Sequence, residues 1–96
     1  MDGKPKFRPD PDARLLDQVR QVLRYYHYAY HPEATYCSWI KRYIYYHGGQ
    51  THPRELNEKD IEKFLSHLAS DVNIAASTQR QALNALVFLY RDVLDI

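Results

Sequence analysis

Residues 76–94 read ASTQRQALNALVFLYRDVL. Ala82, Leu83, Leu86, Leu89, Tyr90, Val93 and Leu94 recur in this run at helical spacings, and the apolar arc they describe is wide. The spacing predicts a helix that starts at Ser77 or Thr78 and ends near Leu94, and the width of its arc makes it the central, most buried helix. Working outward, Asn57 is a good N-cap with Asp60 three residues on, followed by an apolar face of Ile61, Phe64, Leu65 and Leu68. Before that, Gly48 and Gly49 stop a helix that begins near Pro32, a residue suited to a first turn. The first helix is expected over residues 13–26, where Leu15, Leu16, Val19, Val22, Leu23 and Tyr26 form one stripe and Asp10 or Asp12 caps the start. Residues 1–12 hold three of the five prolines and read as a disordered leader. No strand pattern, internal repeat or low-complexity segment interrupts this order. The class is all-α, a compact four-helix bundle over residues 13–96.

Size sets the limits on function. A chain of 96 residues makes one small domain with one modest core. Hydrophobic residues at 45% and charged residues at 26% describe a soluble globular protein. One cysteine, Cys37, rules out a disulfide framework within the chain and fits a reducing compartment. No apolar run spans a bilayer, and residues 1–13 lack the apolar core of a signal peptide. Net charge is +1, but it divides unevenly. Residues 1–54 carry nine Lys/Arg against five Asp/Glu, and residues 55–96 carry four against seven, so the halves are +4 and −3.

The water-facing sides of two helices stand out. On a wheel at 100° per residue, Tyr36, Trp39, Ile40, Tyr43, Ile44 and His47 of the second helix fall inward, while Thr35, Ser38, Lys41, Arg42 and Tyr45 fall outward. That outward face carries hydroxyls and cations and no carboxylate, which suits phosphate oxygens and base edges. On the fourth helix Ser77, Arg80, Gln81, Asn84 and Arg91 share a sector, and Ser77, Thr78, Gln79 and Arg80 crowd the first turn, where backbone N–H groups can hold a phosphate.

The blocks HYAYHPEATY, WIKRYIYYHG, HPREL and ASTQRQALNALVFLYRDVL, in this order and spacing, resemble the N-terminal core-binding domain of tyrosine recombinases, with integron-type integrases the nearest likeness. The resemblance covers residues 13–96. It implies a SAM-like bundle with orthogonal packing, set against the DNA major groove by its second and fourth helices. It also implies a separate C-terminal domain holding the catalytic arginines, lysine, histidine and nucleophilic tyrosine. Double-stranded DNA is then the expected partner, with other recombinase protomers beside it. No cofactor, small-molecule substrate or membrane is expected, and the setting is the bacterial cytoplasm and nucleoid. The DNA-binding residues expected are Thr35, Ser38, Lys41, Arg42, Tyr45, Ser77, Thr78, Gln79, Arg80 and Asn84, with His27, Tyr28 and His31 as further candidates for the backbone. The sequence departs from the family at two places: Tyr26 precedes His27 where a base is usual, and His31-Pro32-Glu33 replaces an Arg-Thr-Glu run.

Nine tyrosines invite a chemical reading. A tyrosine nucleophile needs neighbours that activate it and hold phosphoryl charge, and no such set is visible, so no catalytic residue is expected in this chain. Tyr26, Tyr36, Tyr43 and Tyr90 lie on apolar stripes and read as core. Tyr25, Tyr30, Tyr45 and Tyr46 read as exposed. His27 and His31 have the spacing of a helical zinc pair, but Pro32 sets them apart, and no metal is expected. A second function class is a helical protein-binding module that presents Tyr45, Tyr46 and Phe88.

Overall fold

The computed structural model describes residues 8–26 and 30–96, the side chains of residues 30–32 excepted. Four helices follow in order: α1 (Leu15–Tyr25), α2 (Tyr30–Tyr46), α3 (Glu58–Ser70) and α4 (Ala76–Phe88). A short 3-10 turn, Pro53–Glu55, interrupts the α2–α3 connection, and a π-helical segment, Leu89–Val93, continues α4. The described residues contain no strand, and the all-α bundle expected from the periodicity is the fold.

The α2 and α3 boundaries follow from local chemistry. Gly48 at φ 100° and Gly49 at φ 81° end α2. Their N–H groups donate back to Tyr45 and Ile44 at 3.1 and 2.9 Å, a Schellman closure that needs a left-handed residue. Asn57 caps α3: its Oδ1 accepts from the Lys59 N–H at 2.9 Å, and Asp60 Oδ2 accepts from the Asn57 N–H at 2.8 Å. The other two starts differ from expectation. Arg14, not an aspartate, precedes α1. Asp10 instead organises residues 8–13 against α1: its N–H donates to Gln21 Oε1 and its carbonyl accepts from Gln18 Nε2, both at 2.8 Å. The later part of the expected leader is therefore tied to the domain, while residues 1–7 lie outside the described residues. α4 starts one residue before Ser77, and its cap position is Ala75, which offers no side-chain bond.

The core has two lobes. Val19, Val22 and Leu23 of α1 meet Cys37 and Ile40 of α2 and Phe88, Leu89, Val93 and Leu94 at the end of the chain. Trp39 and Tyr43 of α2 meet Phe64 and Leu68 of α3 and Ala82, Ala85 and Leu86 of α4. α2 and α4 serve both lobes, so α4 is central as expected and shares that position with α2. Two assignments on α4 are corrected. Leu83, expected in the core, is 40% exposed, and Phe88, expected on the surface, is 2% exposed. The partner helices change along α4, so the buried arc turns with them. In the first lobe Phe88–Val93 and Leu89–Leu94 are five apart, the repeat that a π segment brings onto one side.

Candidate nucleic-acid interface

On α2, Ser38, Lys41, Arg42 and Tyr45 are exposed and Thr35 is half-buried. The one acidic residue of α2, Glu33, is not on that face: it is 8% exposed. It accepts a bidentate pair of bonds from Arg24, at 3.1 Å from Nη2 and 3.3 Å from Nε. The ion pair ties α1 to α2 across the corner, and the carboxylate beside it raises the Arg24 pKa further. Glu33, the last residue of the His31-Pro32-Glu33 stretch, thus has an internal structural job. His27 and Tyr28 lie outside the described residues, as does the side chain of His31.

Arg42 is held in place. Its guanidinium lies 4.6 Å from the centre of the Trp39 ring, and Trp39, at 6% exposure, is fixed in the lobe with Ala82, Ala85 and Leu86. Cation–π contact orients the fork while leaving its edge N–H groups for an outside acceptor. Through Trp39 the polar face of α2 is anchored on α4. Arg42 and Tyr45 also border an open groove of about 330 Å³ with Phe64, His67 and Leu68 of α3. Lys41 sits about 100° round the helix from Arg42, away from that groove. The α2 set is therefore spread over an arc.

On α4, Ser77, Arg80 and Asn84 are exposed, while Thr78 and Gln79 are half-buried. Gln79 Nε2 donates to the Ile74 carbonyl at 2.8 Å, so one of its amide hydrogens holds the α3–α4 turn. The Thr78 and Gln79 N–H groups both reach the Ala75 carbonyl at 3.0 Å. Ala76 and Ser77 supply the outermost N–H groups of this uncapped end, where the helix dipole is positive. Residues 76–88 include one cation and no carboxylate. Arg91, which shares the wheel sector, pairs with Asp92 at 2.9 Å. Among the described residues, no carboxylate pairs with Lys41, Arg42 or Arg80, whereas Arg20, Arg24 and Arg91 are each in an ion pair.

The described tyrosines divide as follows. The Tyr90 O–H donates to the Pro53 carbonyl at 2.6 Å, so Tyr43 is the donor in the 3.0 Å contact between the Tyr43 and Tyr90 phenols. Burial raises the pKa of both, and for Tyr43 the bond to Tyr90 adds to it. A phenol held neutral in this way is the reverse of an activated nucleophile. Tyr45 and Tyr46 are exposed at 66% and 41%, and Tyr25 is half-buried. Cys37 is buried as expected, and burial pushes its thiol up. The described residues hold no group of three or more His, Cys, Asp or Glu able to bind a metal ion. Nor do they include a helix long and apolar enough to cross a membrane.

The family model for the phage integrase N-terminal SAM-like domain matches residues 15–96. Proteins described as integrase/recombinase from Escherichia coli and from Pseudomonas aeruginosa are each 42% identical to this chain over 86 residues, 90% of this chain and 25% of the relative. The chain spans about a quarter of the length of the curated relatives it matches.

Proposed function

We propose a DNA-gripping role on one premise: the chain belongs to the phage integrase family, as its N-terminal SAM-like domain. The chain holds the recombination site through α2 and α4, and a catalytic domain elsewhere in the parent recombinase cuts and rejoins the strands. Double-stranded DNA is the partner, and the bacterial cytoplasm, where chromosomal DNA lies, is the setting.

The observation that carries this reading is electrostatic. Lys41, Arg42 and Arg80 stand on two helices packed in one lobe, with no exposed carboxylate on either helix. On α3, by contrast, exposed Glu58 and Glu62 alternate with exposed Lys59 and Lys63. Lys41, Arg42, Arg80 and the uncapped start of α4 take phosphates, and Thr35, Ser38, Tyr45, Ser77, Thr78, Gln79 and Asn84 add hydrogen bonds. Phosphate contact dominates, because three cations are many for so small a face and the amide-bearing side chains are few.

The test is a Lys41→Ala, Arg42→Ala double variant titrated with a duplex over a range of salt. Each lost phosphate contact removes about one unit from the slope of log affinity against log salt. Weaker binding with a slope flatter by about two is expected. Unchanged affinity would remove α2 from the interface. A second reading, protomer contact through a helical surface, retains Tyr45 and Tyr46 on the open α2–α3 groove but loses Phe88, which is buried. Concentration-dependent self-association of the free chain would favour it.

A further inference from the structure

α4 exposes more than polar groups. Leu83 and Val87 are 40% and 43% exposed, one turn apart. On a wheel they share an arc of about 40° with exposed Ala76, and Arg80, Asn84 and Ser77 fill the adjoining arc. The solvent face of α4 is thus split lengthwise into an apolar edge and a hydrogen-bonding edge. Core packing does not require the apolar edge, because Ala82, Ala85 and Leu86 already fill that lobe at 0% exposure.

Resting on the DNA reading above, we propose that Leu83 and Val87 read thymine: their side chains cover the 5-methyl groups that thymine projects into the major groove. Three features favour this occupant. The row is two large side chains wide at most, below the few hundred Å² of an apolar protein-binding patch. It lies directly beside Arg80 and Asn84, side-chain types that bond guanine and adenine edges. The helix that carries it has no carboxylate to repel phosphate. An apolar edge next to an amide matches an A·T pair, which offers adenine N6 and N7 on one base and a methyl on the other.

The experiment compares two 20-base-pair duplexes, alternating A·T and alternating A·U, by fluorescence anisotropy at low salt. They carry equal charge, and the U duplex lacks only the methyl groups. The chain is expected to bind the A·T duplex more tightly, by about fourfold for each methyl covered. In Leu83→Ala with Val87→Ala the ratio should fall to near one. Leu83→Gln, which keeps a good helix former at an exposed site, should lower it as well. Equal binding of both duplexes by the unaltered chain would overturn the inference and leave the DNA reading standing. Binding to neither duplex would overturn both. A preference that survives in the double variant would overturn the assignment to Leu83 and Val87. Should the free chain self-associate, and the double variant lose that association with the ratio unchanged, the row would be a protein contact and the inference would be overturned.

Discussion

Tyr90 shows how one hydroxyl joins three parts of the chain. It bonds the Pro53 carbonyl in the α2–α3 connection and accepts from Tyr43 on α2, while its own backbone belongs to the π segment. Tyr90→Phe leaves a carbonyl and a phenol without their partner, and is expected to cost about 1–3 kcal/mol in urea unfolding. Both phenols have raised pKa values in the folded chain. Their contribution to stability is complete below the ordinary phenol value of about 10. Above it the unfolded chain releases protons that the folded chain keeps, so stability falls as pH rises. Thermal unfolding between neutral pH and about pH 11 should show that loss, with a shallower fall in Tyr90→Phe. The aromatic stripe that places Tyr43 and Tyr90 inward is legible in sequence because both fall on a helical repeat. Their mutual bond and the reach to Pro53 are not, since the partners are 47 and 37 residues apart. The same holds for Arg24 and Glu33, nine apart on two helices, and for the seat of Arg42 on Trp39.

At the scale of elements, the contrast between the starts of α3 and α4 is informative. α3 has a complete capping box, and α4 has alanine at its cap position. Ala75 already has an extended backbone, φ −61° and ψ 152°, that a capping residue adopts. Ala75→Ser should therefore stabilise the chain by about 0.5–2 kcal/mol. Ala75→Asp should stabilise it comparably, through the cap and the dipole, yet weaken duplex binding by setting a carboxylate where a phosphate would sit. Equal DNA affinity for the serine and aspartate variants would take the start of α4 out of the interface. Helix number, the Gly48–Gly49 stop and the Asn57 cap can be read from sequence because each depends on a local signal. The outward placement of Leu83 and the burial of Phe88 cannot. A single wheel assumes one buried direction, and α4 faces α2 and α3 along its first half but α1 and α2 at its end. The π segment then changes the repeat on which the wheel depends.

At the scale of the molecule, charge is separated along the chain: +4 over residues 1–54 and −3 over residues 55–96. A net charge of +1 supplies little long-range attraction. If α2 and α4 hold DNA as proposed, binding by the chain alone rests on a few local contacts, and it should be weak and strongly salt-dependent. The exposure of Ser38, Lys41, Arg42, Tyr45, Ser77, Arg80 and Asn84 was legible, because exposure follows helical phase. Their mutual arrangement depends on how α2 and α4 cross, which no spacing within one helix records. The most direct measurement is an NMR titration of the isotope-labelled chain with a generic duplex, at low and then moderate salt. Amides of residues 35–45 and 76–84 should shift together and recover as salt rises, with α3 unaffected. No shifts at low salt, or shifts confined to α3, would contradict the assignment of DNA binding to α2 and α4.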